Sequence, residues 1–160
     1  ILYVLPIIFG IVPDCEAISN QPKPLGKVKY ITIHHSGCIT DQSKPDYKSA
    51  VEQIRKYHKS LGWYDIGYHY VITPDGVLHT GRDIKLTGAH VKGHNRGNIG
   101  ICLLGNMNKQ YLTAEQKRAL SNLLKDLMHK YPQTELKAHR DFANTECCGK
   151  NVNIERARIR

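Results

Sequence analysis

The chain predicts a single α/β domain, a central mixed β-sheet flanked by helices. Strand-like and helix-like segments alternate along it as strand, helix, hairpin, strand, helix, strand. Its 160 residues suit one domain with one sizeable core. With 41% hydrophobic and 23% charged residues, the composition is that of a folded globular chain and excludes a disordered one.

The first twelve residues, ILYVLPIIFGIV, carry no charge. The run is too short to span a bilayer as a helix. It reads either as the apolar part of an export segment or as a strand covering a sheet edge. Residues 19–27, with two prolines and a glycine, read as a linker. This assigns 1–26 to an N-terminal segment and 27–160 to the domain.

KVKYITIHH alternates and is rich in β-branched residues, so it predicts a strand. Period two puts Tyr30, Thr32 and His34 on one face, with Ile31, Ile33 and His35 on the other. A loop follows through Pro45. From Tyr47 to Leu61, Val51, Ile54, Tyr57, His58 and Leu61 recur at helical spacing, and Gly62 is a natural stop. GYHYVIT and VLHTG flank PDG, the pattern of a hairpin. NIGICLLG is a continuous apolar run expected at the centre of the sheet. Thr113 and Gln116 form a capping box for a helix whose stripe is Leu120, Leu123, Leu124 and Leu127. Tyr131-Pro132 ends that helix. TELKAH then predicts a short strand that delivers His139 to the end of the sheet.

The formal net charge of +9 favours an acidic partner. Nucleic acid or an anionic polymer surface would fit, with a solvated basic face as the alternative; no block of five like charges and no nucleic-acid signature is present. Five cysteines, at 15, 38, 102, 147 and 148, are an odd set and not a small disulfide scaffold. Cys102 reads as a buried strand residue without chemistry.

His34 and His139 each stand at the end of a predicted strand, and Cys147 and Cys148 follow His139 in a polar loop. Two imidazoles and one thiolate suit zinc, and three protein ligands leave a fourth position for water, as catalytic sites do. Spacing alone leaves surface histidines without a metal as the alternative, and does not choose between His34 and His35.

Five blocks go further: ITIHHSG, GWYDIGYHYVITPDGVLHTGRD, GAHVKGHNRGNIGICLLG, LTAEQKRALSNLL and AHRDFANTEC. In order and spacing they resemble the zinc-dependent N-acetylmuramoyl-L-alanine amidases. This type 2 amidase family includes phage lysozymes of the T7 kind and the animal peptidoglycan recognition proteins. The resemblance runs from about Lys27 to Cys147 and implies that family's fold. It implies one zinc per chain held by His34, His139 and Cys147, with His35 facing away, packed or hydrogen-bonded. Tyr68 matches the catalytic tyrosine. T7-type enzymes carry a lysine two residues before the ligand cysteine. Thr145 stands there in this chain, as in many peptidoglycan recognition amidases, and is the expected auxiliary catalytic group. Cys148 replaces the proline of the usual Cys-Pro-Gly and is expected to be a free thiol. His69, Arg82, His90 and Asn98 are candidate substrate-binding residues, and His69 and His90 are also general-base candidates by type. Arg140 and Asp141 are expected to form a local ion pair.

The implied activity is hydrolysis of the amide between N-acetylmuramic acid and L-alanine in peptidoglycan. The chain would act on the cell wall as a monomer, after export or on lysis. The alternative is a peptidoglycan recognition module that binds without cutting. Such relatives generally lose a zinc ligand, most often the cysteine, whereas this chain keeps all three. A polymerase-regulating role, which the T7-type lysozyme also has, finds no support in these motifs.

Overall fold

The computed structural model describes residues 22–40 and 46–155. The apolar run at residues 1–12, with both of its readings, lies outside them. The elements in chain order are β1 (Tyr30–His35), α1 (Tyr47–Ser60), β2 (Tyr70–Ile72), β3 (Leu78–Thr80), β4 (Asn98–Leu103), α2 (Ala114–Lys130) and β5 (Glu135–Ala138). A single 3₁₀ turn, His139–Asp141, follows β5 directly. The strands form one sheet in the order β3-β2-β4-β1-β5. Only β2 and β3, the hairpin, run antiparallel, so the sheet is mixed as expected.

Both faces of this sheet are covered, which is why β4 reads as an unbroken apolar run: all six of its residues are buried. Alternation sorts its side chains. Ile99, Ile101 and Leu103 join Ile31 and Ile33 in the larger cluster, against Leu120, Leu123, Leu124 and Leu127 of α2. Four buried leucines at about 1.5–3 kcal/mol each far exceed the ~1 kcal/mol of a helix cap, so packing holds α2 in place. The cap sets where the helix begins: Thr113 Oγ1 accepts from Gln116 N–H at 3.0 Å, closing the expected capping box. On the opposite face Val51 of α1 packs with Ile66, Val71, Cys102 and Leu104. Gly62, at φ +85°, lies just beyond the end of α1, as read from the sequence.

Two expectations change. Tyr57 and Leu61 are 62% and 50% exposed, while α1 buries Val51 and His58. At 100° per residue, Tyr57 and Leu61 lie roughly 120° and 80° around the helix from Val51, outside a narrow buried face. The linker reading also ends early. Leu25 is buried in the main core, its N–H donating to Lys85 O at 2.8 Å and its carbonyl accepting from Gly97 N–H at 2.7 Å. The packed domain therefore starts before Lys27.

Candidate metal centre

The parallel register decides which residues meet. Ile33 lies opposite Ala138, so the next residues along, His34 on β1 and His139 just past β5, emerge together at the carboxyl ends of neighbouring strands. In open α/β sheets this is the end where sites form. The loop after His139 then turns back, and Arg140 N–H donates to Cys147 O at 2.8 Å. That bond returns Cys147 to the histidines. One donor atom from each of His34, His139 and Cys147 lies within 4.8 Å of the others. His34 Nδ1 stands 3.6 Å from Cys147 Sγ. Two ligands on one tetrahedral zinc stand roughly 3.3–3.6 Å apart, so this pair is already at ligand spacing.

The donor chemistry fits a cation as well. Burial, followed by the neighbouring His90, His139 and His35, holds His34 well below the ordinary imidazole pKa. Burial also lowers His139. Both rings are therefore neutral near pH 7, with lone pairs to offer. Burial pushes the Cys147 thiol up to about 11, so its ionisation needs a positive charge beside it. The backbone N–H of His35 points at Cys147 Sγ from 3.4 Å, a contact that supports a thiolate. The His35 ring turns the other way and its Nδ1 accepts from Met107 N–H at 3.0 Å, hydrogen-bonded as the resemblance implies.

Tyr68, just before β2, places its ring 5.2 Å from that of His34. Burial first, then Cys102 and Cys147, raises its phenol well above the usual value, so the hydroxyl keeps its proton. It can donate a hydrogen bond to an oxygen near the metal ligands.

The N-acetylmuramoyl-L-alanine amidase family model matches residues 24–150. The chain belongs to the N-acetylmuramoyl-L-alanine amidase family. Among its relatives is the endolysin of Enterobacteria phage T3, 37% identical over 132 residues that span 79% of this chain and 84% of the relative. Peptidoglycan-recognition protein SC2 of Drosophila melanogaster is 36% identical over 129 residues, spanning 78% of this chain and 70% of its own. Among solved structures, the N-acetylmuramoyl-L-alanine amidase LysC from Clostridium intestinale URNW superposes with a TM-score of 0.76 at 33% identity, covering 86% of this chain and 87% of that one.

In this amidase the structure gathers His34, His139, Cys147 and Tyr68 in one place and gives the remaining candidates other work. Thr145 is on the same loop, and its hydroxyl accepts from Cys147 N–H at 3.3 Å. The Cys147–Cys148 peptide bond is cis. Cys148 turns into the main core as a free, fully buried thiol, away from the histidines. The four substrate-binding candidates all make hydrogen bonds inside the protein. His69 accepts from Gly100 N–H through Nδ1 and bonds Leu86 O through Nε2. Arg82 donates to the carbonyls of Ile66, Thr87 and Asp65. Asn98 bonds Thr32 and His94. His90 lies between His34 and the backbone of Asn98. The same bonds leave His69 and His90 without a free nitrogen for general-base work. Arg140 and Asp141 also depart from expectation. Arg140 donates to Gly149 O and Val152 O, and Asp141 accepts from Ala138 N–H, so each braces backbone instead of the other.

Two contributors escaped the sequence reading. His58 of α1 accepts from Gly67 N–H, and its ring lies 5.5 Å from that of Tyr68, tilted at 59°. Cys102, opposite His34 in the β1–β4 register, sits close enough to Tyr68 to raise its pKa. Period two along NIGICLLG marks Cys102 as sharing a face with Asn98 and Gly100, and that was the available signal.

Proposed function

We propose that this amidase hydrolyses the amide joining N-acetylmuramic acid to L-alanine in peptidoglycan, with one zinc ion held by His34, His139 and Cys147. The observation that carries the reading is the convergence of two neutral imidazoles and one thiol at the carboxyl ends of β1 and β5, beside a protonated tyrosine. Bound there, zinc supplies a Lewis acid that polarises the scissile carbonyl and readies water for attack.

The chain's own residues supply the rest. His34 and His139 would hold the ion through bare ring nitrogens, and Cys147 would do so as a thiolate backed by the N–H of His35. As the carbonyl carbon becomes tetrahedral, its oxygen gains negative charge. The Tyr68 hydroxyl donates to that oxygen. Thr145 accepts a bond from Cys147 N–H, which leaves its hydroxyl proton for the same oxyanion or for the departing amine. The +9 charge draws the enzyme to anionic wall polymers. Among the described residues no helix is long and apolar enough to cross a membrane.

Mass spectrometry of purified peptidoglycan after incubation with the zinc-loaded protein tests the reading. Stem peptides with a free L-alanine amine should appear alongside unmodified glycan strands. Binding without such products would make the chain a recognition module, and products cut at another bond would reject the assigned reaction.

A further inference from the structure

We propose that His90 is a positioning residue that fixes the tautomer of His34, so that His34 presents an unprotonated Nδ1 to the metal. The inference rests on the reading of His34, His139 and Cys147 as the ligands.

The hydrogen-bond chain has one consistent assignment. His34 Nδ1 faces Cys147 Sγ at 3.6 Å, which puts Nδ1 on the ligand side of the ring. Its Nε2 points inward, 3.0 Å from His90 Nδ1. His90 Nε2 in turn lies 3.1 Å from the main-chain carbonyl of Asn98. A carbonyl only accepts, so His90 carries its proton on Nε2 and leaves Nδ1 bare. A bare His90 Nδ1 must accept from His34, whose proton is therefore on Nε2. The lone pair of His34 Nδ1 is then free for a cation. The other tautomer of either ring would set two lone pairs or two protons against each other.

His90 is held for this task. Its N–H donates to Asn95 Oδ1 at 2.8 Å, and its ring stands at 90° to that of His34. The ring fills a slot that two glycines leave open. A Cβ on Gly88 or Gly100 would lie 2.6 or 2.7 Å from its ring carbons. The far end of the chain is also fixed. Thr32 donates to Asn98 Oδ1 at 2.7 Å, and Asn98 Nδ2 donates to His94 O at 2.9 Å. The relay thus runs from the backbone of β4 to a side chain of β1. It explains why a polar ring is buried there: both its nitrogens are occupied in orienting a ligand.

Two measurements on the zinc-loaded protein test this. Long-range ¹H–¹⁵N correlation of the histidine rings should show His90 and His34 each protonated at Nε2 alone. A proton on His90 Nδ1 would overturn the proposal. Competition with a chromophoric chelator should show His90→Phe weakening zinc binding roughly 10- to 100-fold. His90→Gln should restore most of the affinity, because its amide can accept from His34 and donate to Asn98 at once. Full affinity in His90→Phe, or equal weakening in both variants, would reject the relay. Should His90→Phe not fold, the ring-proton assignment in the unmodified protein decides. Failure of the unmodified chain to bind zinc would instead refute the ligand set, and is distinguished because it needs no substitution.

Discussion

The Tyr68 hydroxyl remains protonated at any pH the enzyme meets, because its surroundings penalise the phenolate. In the proposed mechanism a protonated donor to the developing oxyanion has its effect on turnover. Tyr68→Phe should lower kcat about 100-fold or more while zinc content and melting temperature stay unchanged. Steady-state kinetics with a metal assay checks this, and unaltered kcat would reduce Tyr68 to a packing residue. The adjacent cysteines should separate as sharply. Cys147→Ser should lose bound zinc and hydrolysis together. Cys148→Ala should keep both and cost about 1 kcal/mol of stability through a small core void, read from a urea midpoint. The three residues of the His34, His139 and Cys147 cluster were legible because strand ends and motif spacing mark them in one dimension. His90, Asn98 and Cys102 were not, because their roles depend on which residue of β4 lies opposite which residue of β1. Register is a property of two strands, and no single segment encodes it.

Helix α2 shows how one side chain serves two elements. Gln116 accepts from Thr113 N–H through Oε1, completing the cap, while its Nε2 donates to Ile72 O at 3.2 Å and Leu104 O at 3.0 Å. These carbonyls lie at the ends of β2 and β4, so the cap also fastens the helix to the sheet. Gln116→Ala should destabilise by about 2–3 kcal/mol, against about 1 kcal/mol for Thr113→Ala, since it removes two buried hydrogen bonds to the sheet, with Ile72 O keeping its bond from Leu104 N–H. Urea titrations of both variants give the ordering, and equal losses would confine Gln116 to the cap. The capping box was readable from four residues. The tie to the sheet was not, because Ile72 and Leu104 are 44 and 12 residues away. The stripe of α1 failed for a related reason. Helical spacing names every residue near a face, but the amount of sheet available decides how many of them it covers.

The whole molecule carries histidines that fold only as neutral rings. Burial, then Arg82, lowers the pKa of His58. Burial chiefly lowers His69, with Arg82 assisting and both the Leu86 bond and Asp83 opposing. Each ring accepts a backbone N–H that a second proton would displace. Their folded pKa values lie below the unfolded 6.5, so the unfolded chain binds more protons. The stability they contribute is complete above pH 6.5 and declines as pH falls through the lowered values. Urea midpoints should therefore drop between about pH 7.5 and pH 5, and a flat profile would contradict the assigned ring states. Chelation should abolish hydrolysis, and added zinc should return it; full activity in verified metal-free protein would rule out the metal mechanism. The position of β5 has a consequence during synthesis. Among the described residues its strand partner is β1, and His139 and Cys147 both lie beyond it. A nascent chain that has released β1 through α2 from the ribosome holds one of the three proposed ligands, His34. The proposed zinc site is thus incomplete during synthesis until Cys147 emerges and β5 docks on β1.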